Sequence, residues 1–212
     1  MHIKKLLISF AALAGCVLTA RPEAFRENPE KYGNFSLLSQ TPEFREAPFE
    51  DSREEGLQAL MITGYGKRDD DKDIHTLHPK PLSKKNKAEF FAYMGFPRGP
   101  VPDGGFPGIV LIHGGGGTAY PKYVKYWISK GYAVIAPDWY NRRPVRPDAP
   151  GGKVGRAPLP GGKRQDHVVN VANIVLAHSL LSAQKNVNPA KTAFVGLSWG
   201  SWYGAIVAAV VL

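Results

Sequence analysis

The apolar residues in the second half of the chain fall into runs of two kinds. Three runs are short and rich in apolar residues, at 108–113, 132–136 and 191–195. Short runs of this kind are typical of strands buried on both faces of a sheet. Three longer runs separate or follow them, at 121–130, 166–182 and 202–212, and suit helices. Because the two kinds alternate, the pattern predicts an α/β domain with a mostly parallel sheet flanked by helices.

The first half of the chain contains fewer such runs. Residues 57–63 and 88–94 are strand candidates, and we expect them to pair as antiparallel edge strands ahead of the parallel sheet. His75 and His78 lie in the charged loop between them. No third ligand stands at a useful spacing, so we interpret both as solvated residues and not as a metal site. A loop at 141–163, rich in Pro, Gly and Arg, is predicted to run over the face of the sheet that carries the site.

The N-terminus reads as an export signal. Lys4 and Lys5 precede an apolar stretch at 6–13 that is too short to span a bilayer as a helix. The following Leu13-Ala14-Gly15-Cys16 is similar to the bacterial lipoprotein cleavage box, which implies cleavage before Cys16 and a lipid on that residue. An ordinary secretory signal with an incidental cysteine is the alternative. We therefore expect a signal peptide at 1–15, a proline-containing tether at 16–48, and a location in the bacterial cell envelope or outside the cell.

The length and the charge of the chain indicate a single globular domain that does not bind nucleic acid. With 212 residues, 43% of them hydrophobic, the chain is long enough for one domain with a sizeable core. The formal net charge of +9 comes from basic residues scattered among Pro and Gly in loops, without a recognition-helix pattern. We therefore expect no nucleic-acid partner. The single cysteine excludes a disulfide within the chain.

A G-x-S-x-G pattern, Gly196-Leu197-Ser198-Trp199-Gly200, stands between the run at 191–195 and the apolar run at 202–212. A serine in a sharp turn between a strand and a helix is held above the edge of the sheet, and the two glycines leave room for the crossing. The pattern predicts a nucleophile elbow with Ser198 as the nucleophile.

A second glycine-rich segment, His113-Gly114-Gly115-Gly116-Gly117, follows the buried run at 108–113. Glycines there let the backbone approach a ligand and direct amide groups at it, as an oxyanion hole requires. A phosphate-binding loop is the alternative. No G-K-[ST] follows, although Asp138 stands about where a dinucleotide site would need an acidic residue. We expect His113 to hold the turn and not to act as a base.

The order of these elements is similar to the first half of the α/β-hydrolase fold. Three stretches, HGGGGTAYPKYVKYWISKGYAVIAPDWY, ANIVLAHSLL and VGLSWGSWYGAIVA, resemble bacterial dienelactone-hydrolase-like, acetylxylan-esterase and prolyl-oligopeptidase-like hydrolases. They are most similar to secreted proteins of the acetylxylan-esterase type. The resemblance covers about residues 55–212. It departs mildly at Ser201, where the family often has a second glycine.

This resemblance implies a serine hydrolase that needs neither a cofactor nor a metal ion. Ser198 would attack the carbonyl carbon of an ester, with an acetylated carbohydrate as the expected substrate. The oxyanion would be held by the backbone amide of Trp199 and by an amide of the Gly114-Gly115 turn.

One departure from the family is large. In this fold the acid and the histidine of the triad follow the serine along the chain, yet none of the 14 residues after Ser198 is Asp, Glu or His. We therefore expect residues 49–212 to be a partial α/β-hydrolase domain, a fragment without its acid and base. Neither His113, His167 nor His178 is expected to replace the missing base. Two alternatives stay open: a serine peptidase of the prolyl-oligopeptidase type, and a catalytically inactive, lipid-anchored binding protein.

Overall fold

The computed structural model describes residues 38, 40–48, 53–65, 87–115, 117–139 and 167–211. The predicted signal peptide with Cys16, the histidines His75 and His78, and the loop at 141–163 lie outside the described residues.

Six strands form one mixed sheet in the order β1-β2-β3-β5-β4-β6. Three neighbouring pairs, β1 with β2, β2 with β3 and β3 with β5, are antiparallel, while β4 is parallel to both β5 and β6. The predicted order of antiparallel strands first and parallel strands later is thus confirmed, with a larger antiparallel share than the pattern indicated. The strands are β1 (Phe44–Glu46), β2 (Gln58–Tyr65), β3 (Lys87–Gly95), β4 (Phe106–Ile112), β5 (Ala133–Pro137) and β6 (Val187–Gly196).

Helices lie on both faces of this sheet. They are α1 (Pro121–Ile128), α2 (His167–Ser182) and α3 (Trp199–Val211). On one face, α2 and α3 enclose a core in which Ile135, Ile174 and Val207 are fully buried. On the other face, Val124 of α1 packs in a smaller core with Phe91 of β3. The continuous apolar runs of β4 and β5 are explained by this arrangement, because both faces of these strands are covered.

The domain begins earlier than the predicted boundary at residue 49. Phe44 of β1 is paired with Ile62 of β2, and Ala47 donates its backbone amide to the Ala59 carbonyl oxygen at 2.8 Å. Leu38 is 1% exposed, and its carbonyl oxygen accepts a hydrogen bond from Ser179 Oγ. The C-terminal end of the segment predicted as a tether, 16–48, thus pairs with the sheet through β1. A three-residue strand beside Pro42 and Pro48 has too little periodicity to be recognised from sequence.

β6 also begins earlier than predicted, at Val187, and it contains Pro189. The pairing with β4 is irregular there: Pro107 is opposite Asn188, whereas Gly108 is opposite Thr192. Proline has no amide proton to give to a strand partner, so it is tolerated where the ladder is interrupted. β6 is the last strand of the described sheet.

His178 is a residue of α2 that packs against β6. Its Nε2 atom is 3.0 Å from Thr192 Oγ1 and 3.3 Å from Ser182 Oγ. Burial lowers the pKa of His178 below its ordinary value of 6.5, because the charged imidazolium is poorly solvated there.

The low pKa of His178 predicts a pH-dependent stability. The unfolded chain takes up a proton at His178 before the folded protein does, so the free energy of unfolding should fall as the pH drops below about 6.5. His178→Gln should remove this part of the decline. Urea unfolding of both proteins at pH 7.5 and pH 5.5 measures it, and an identical decline in the variant would contradict the prediction.

The sheet topology sets the place of the candidate site. β4 and β6 are parallel neighbours, and their last residues, Ile112 and Gly196, are partners in the register. The glycine-rich segment after β4 and the G-x-S-x-G turn after β6 therefore emerge side by side at the same edge of the sheet.

Candidate active site

Ser198 occupies a tight turn between β6 and α3. Its φ is 54°, and it is the one non-glycine residue with positive φ in the described part of the chain. The turn is held by hydrogen bonds from Leu197 N to the Ile112 carbonyl oxygen (3.1 Å) and from Gly200 N to the Leu197 carbonyl oxygen (2.9 Å). A left-handed conformation in a residue with a side chain is unfavourable, and such strain is concentrated at functional sites.

The two glycines of the motif are required by steric contact. A Cβ atom on Gly196 would collide with the backbone of Gly200 and Ser201, and one on Gly200 would collide with the carbonyl oxygens of Ile112 and His113. The start of α3 therefore crosses the ends of β4 and β6 at backbone contact. Ser201 is exposed and donates its hydroxyl to the Gly196 carbonyl oxygen at 2.8 Å.

The glycine-rich segment packs directly on this turn. A Cβ atom on Gly114 would lie 3.0 Å from the Leu197 carbonyl oxygen and 3.3 Å from Ser198 Cβ, and one on Gly115 would lie 2.6 Å from Trp199 Cδ1. The segment is itself a turn, closed by Gly117 N donating to the Gly114 carbonyl oxygen at 2.9 Å. The structure thus brings together Ser198, Trp199, Gly114 and Gly115, the residues that the sequence assigned to the nucleophile and the oxyanion hole.

Buried polar side chains support the segment from below. His113 Nδ1 donates to the Gly114 carbonyl oxygen at 2.8 Å, and its Nε2 atom lies 3.4 Å from Asp138 Oδ1. Thr118 donates its hydroxyl to Asp138 Oδ2 at 2.8 Å, and the His113 ring stacks on the Trp139 ring at 4.9 Å. His113 therefore holds the turn, as expected from the sequence.

The burial of Asp138 in this network is evidence against the alternative of a dinucleotide-binding site. Asp138 is 0% exposed: its Oδ2 atom accepts the Thr118 hydroxyl, and its Oδ1 atom is enclosed 3.4 Å from His113 Nε2. A ribose hydroxyl has no access to it, so the buried carboxylate argues against a dinucleotide site.

Ser198 opens into a cavity of about 650 Å³ lined by His167, Ser198, Trp199 and Trp202. His167 was not expected to face Ser198, since it precedes the motif by about thirty residues and begins a helix. The structure brings it there through Tyr203, whose hydroxyl lies 2.6 Å from His167 Nδ1. No local sequence pattern encodes this contact, because it arises from the packing of α2 on α3.

The described residues contain neither a metal-binding cluster nor a membrane-spanning helix. No group of three or more His, Cys, Asp or Glu side chains there could hold a metal ion. Nor does that part of the chain contain a helix long and apolar enough to cross a membrane.

Comparisons with known proteins identify structural neighbours only. No protein-family model matches the chain, and no curated protein matches it by sequence. An acetyl xylan esterase from Paenibacillus sp. R4 matches with a TM-score of 0.52 and 18% identity, over 84% of this chain and 53% of that enzyme. Acetyl xylan esterase 1 from Thermoanaerobacterium sp. JW/SL YS485 matches with a TM-score of 0.46 and 14% identity, over 90% of this chain and 60% of that enzyme.

The chain thus spans little more than half the length of these two enzymes. Within that span, the chain forms a mixed sheet whose antiparallel strands come first and whose parallel strands come later. At the edge of this sheet, a turn with the strained Ser198 leads from the last strand into a helix. On this topology and the match to the Paenibacillus enzyme, the chain has the α/β-hydrolase fold.

Proposed function

We propose that the protein is a serine hydrolase that acts on carboxylic esters, with Ser198 as its nucleophile. The observation that carries the proposal is the positive φ of Ser198 directly beneath the glycine-rich segment. A strained serine at a strand-to-helix turn, with backbone amides beside it, is the arrangement that acyl transfer needs.

In the proposed reaction Ser198 Oγ bonds to the ester carbonyl carbon, its hydroxyl proton passes to water, and the carbonyl oxygen takes up the negative charge. Collapse of this intermediate breaks the bond to the alcohol, which leaves with a proton, and water then hydrolyses the acyl-Ser198 ester. Trp199 is the first residue of α3, so its amide has no acceptor within the helix and is available to the oxyanion. An amide of the Gly114-Gly115 turn would be the second donor. The N-terminus of α3 adds its partial positive charge at the same point.

For the substrate, we propose an acetyl ester of a carbohydrate. The sequence similarity to acetylxylan-esterase-type proteins and the fold shared with the Paenibacillus acetyl xylan esterase support this class. We propose export on the N-terminal sequence alone, with Cys16 as a lipid anchor.

Covalent labelling with a fluorophosphonate tests the nucleophile, because only an activated hydroxyl reacts with it. We expect slow labelling of the wild-type chain and of Ser201→Ala, since no Asp, Glu or His follows Ser198 in this sequence to activate it, and no labelling of Ser198→Ala. Ser201 is a matched control, since it is an exposed serine in the same turn. Failure to label the folded wild-type protein, or labelling that persists in Ser198→Ala, would overturn the proposal.

Substrate assays separate the ester and peptidase alternatives. The ester proposal predicts release of acetate from acetylated xylan and no cleavage of a prolyl peptide anilide. The opposite preference would favour the peptidase alternative.

A further inference from the structure

The cavity beside Ser198 has an aromatic wall, formed by Trp199, Trp202 and His167. The two indole rings are nearly perpendicular, at 87° with centroids 5.5 Å apart, and the His167 ring is within 18° of parallel to Trp199. Trp199 is 45% exposed and Trp202 is 46% exposed. Large apolar side chains left in water next to a nucleophile are typical of a binding surface.

The wall is held in place from beneath by Tyr203, which is fully buried. The Tyr203 ring contacts the rings of Trp202 (5.0 Å) and Trp199 (6.4 Å). Its hydroxyl oxygen accepts a hydrogen bond from Asn170 Nδ2 at 2.8 Å and lies 2.6 Å from His167 Nδ1. Because the rings are fixed before a ligand arrives, little conformational entropy is lost on binding.

The shape and polarity of the wall favour one class of ligand. An apolar acyl chain gains most in an enclosed pocket, whereas these indoles stay half exposed. A pyranose ring can place its C–H face on an indole while its hydroxyl groups remain in water. Aromatic faces also attract cations, but the formal net charge of +9 opposes a cationic ligand.

We propose that Trp199, Trp202 and His167 form a sugar-binding subsite, in which a pyranose ring of the ester substrate stacks on Trp202. The inference rests on the proposed function, since it takes Ser198 as the attacking residue. Trp199 contributes its amide to the oxyanion and its side chain to the wall. The acyl group must therefore be short and linked directly to a hydroxyl of the bound ring.

Binding of xylohexaose to the Ser198→Ala chain tests the subsite without turnover. Of the four tryptophans, Trp139 is fully buried and Trp127 is half-buried on α1, so the fluorescence of the exposed Trp199 and Trp202 reports on the wall. We expect saturable binding that Trp202→Ala weakens by at least about tenfold, or about 1.4 kcal/mol. Trp202→Phe should give an intermediate loss. Tyr126→Ala, a matched exposed aromatic residue on α1, should bind as tightly as the parent.

Absence of saturable binding, or equal affinity in Trp202→Ala and the parent, would overturn the subsite. Saturable binding of 2-naphthyl acetate without any binding of xylohexaose would also overturn it, in favour of an aromatic ester. Because the parent already lacks Ser198, these results are independent of the labelling experiment, and the subsite can fail while the nucleophile stands.

Discussion

Replacing Gly200 by alanine is expected to destabilise the protein by about 3 kcal/mol or more and to slow fluorophosphonate labelling of Ser198. The new Cβ atom would lie 2.6 Å from the His113 carbonyl oxygen and closer still to that of Ile112. Both are backbone atoms at the end of β4, so neither can move by a change of rotamer. Relief requires α3 to move off the sheet, which also displaces Ser198 and the amide of Trp199.

Urea unfolding and the labelling rate measure the effect, with Gly204→Ala as the matched control. Gly204 is one turn further along the same helix, and its Cβ would lie 3.4 Å from Ile112 Cδ1, an ordinary contact. Alanine is favoured over glycine in a helix by about 1 kcal/mol, so this control should keep or gain stability. A Gly200→Ala protein as stable as Gly204→Ala would show that α3 does not cross β4 at backbone contact.

Replacing Asp138 by alanine is expected to cost about 3 kcal/mol of unfolding free energy, since removal of one partner from a buried polar pair leaves the other without compensation. Asp138 is fully buried, accepts the Thr118 hydroxyl at 2.8 Å and lies 3.4 Å from His113 Nε2. The turn that carries Gly114 depends on His113, so labelling of Ser198 should slow as well.

Asp138→Asn separates the contribution of the Thr118 hydrogen bond from that of the carboxylate charge beside His113. It keeps an oxygen that accepts from Thr118, so it should lose less stability than Asp138→Ala. Asp103, an exposed aspartate before β4, is the control: Asp103→Ala should change the free energy of unfolding by less than about 0.5 kcal/mol. Equal effects at Asp138 and Asp103 would mean that the buried network does not support the turn.

Most elements of the fold could be predicted from sequence periodicity. The buried runs of β4 and β5, the antiparallel pair β2 and β3, and the three helices all lie within a few residues of their predicted positions. Two features could not be predicted. β1 has only three residues, and β6 contains Pro189 and begins four residues before the run at 191–195 that predicted it. A short strand, or a strand whose hydrogen-bond ladder is interrupted, is stabilised mainly by pairing with a neighbouring strand. That partner is distant along the chain, so the local sequence pattern does not reveal the pairing.

The sequence by itself determined the turn at Ser198 and the glycine-rich segment, because both depend on residues a few positions apart that must lack a Cβ atom. The tertiary structure decided what surrounds them. His167 reaches the cavity only because α2 packs on α3 through Tyr203 and Asn170, and Asp138 became a buried support of the turn and not a ligand for ribose. These contacts join residues twenty or more positions apart, and only the packing of helices on the completed sheet brings them together.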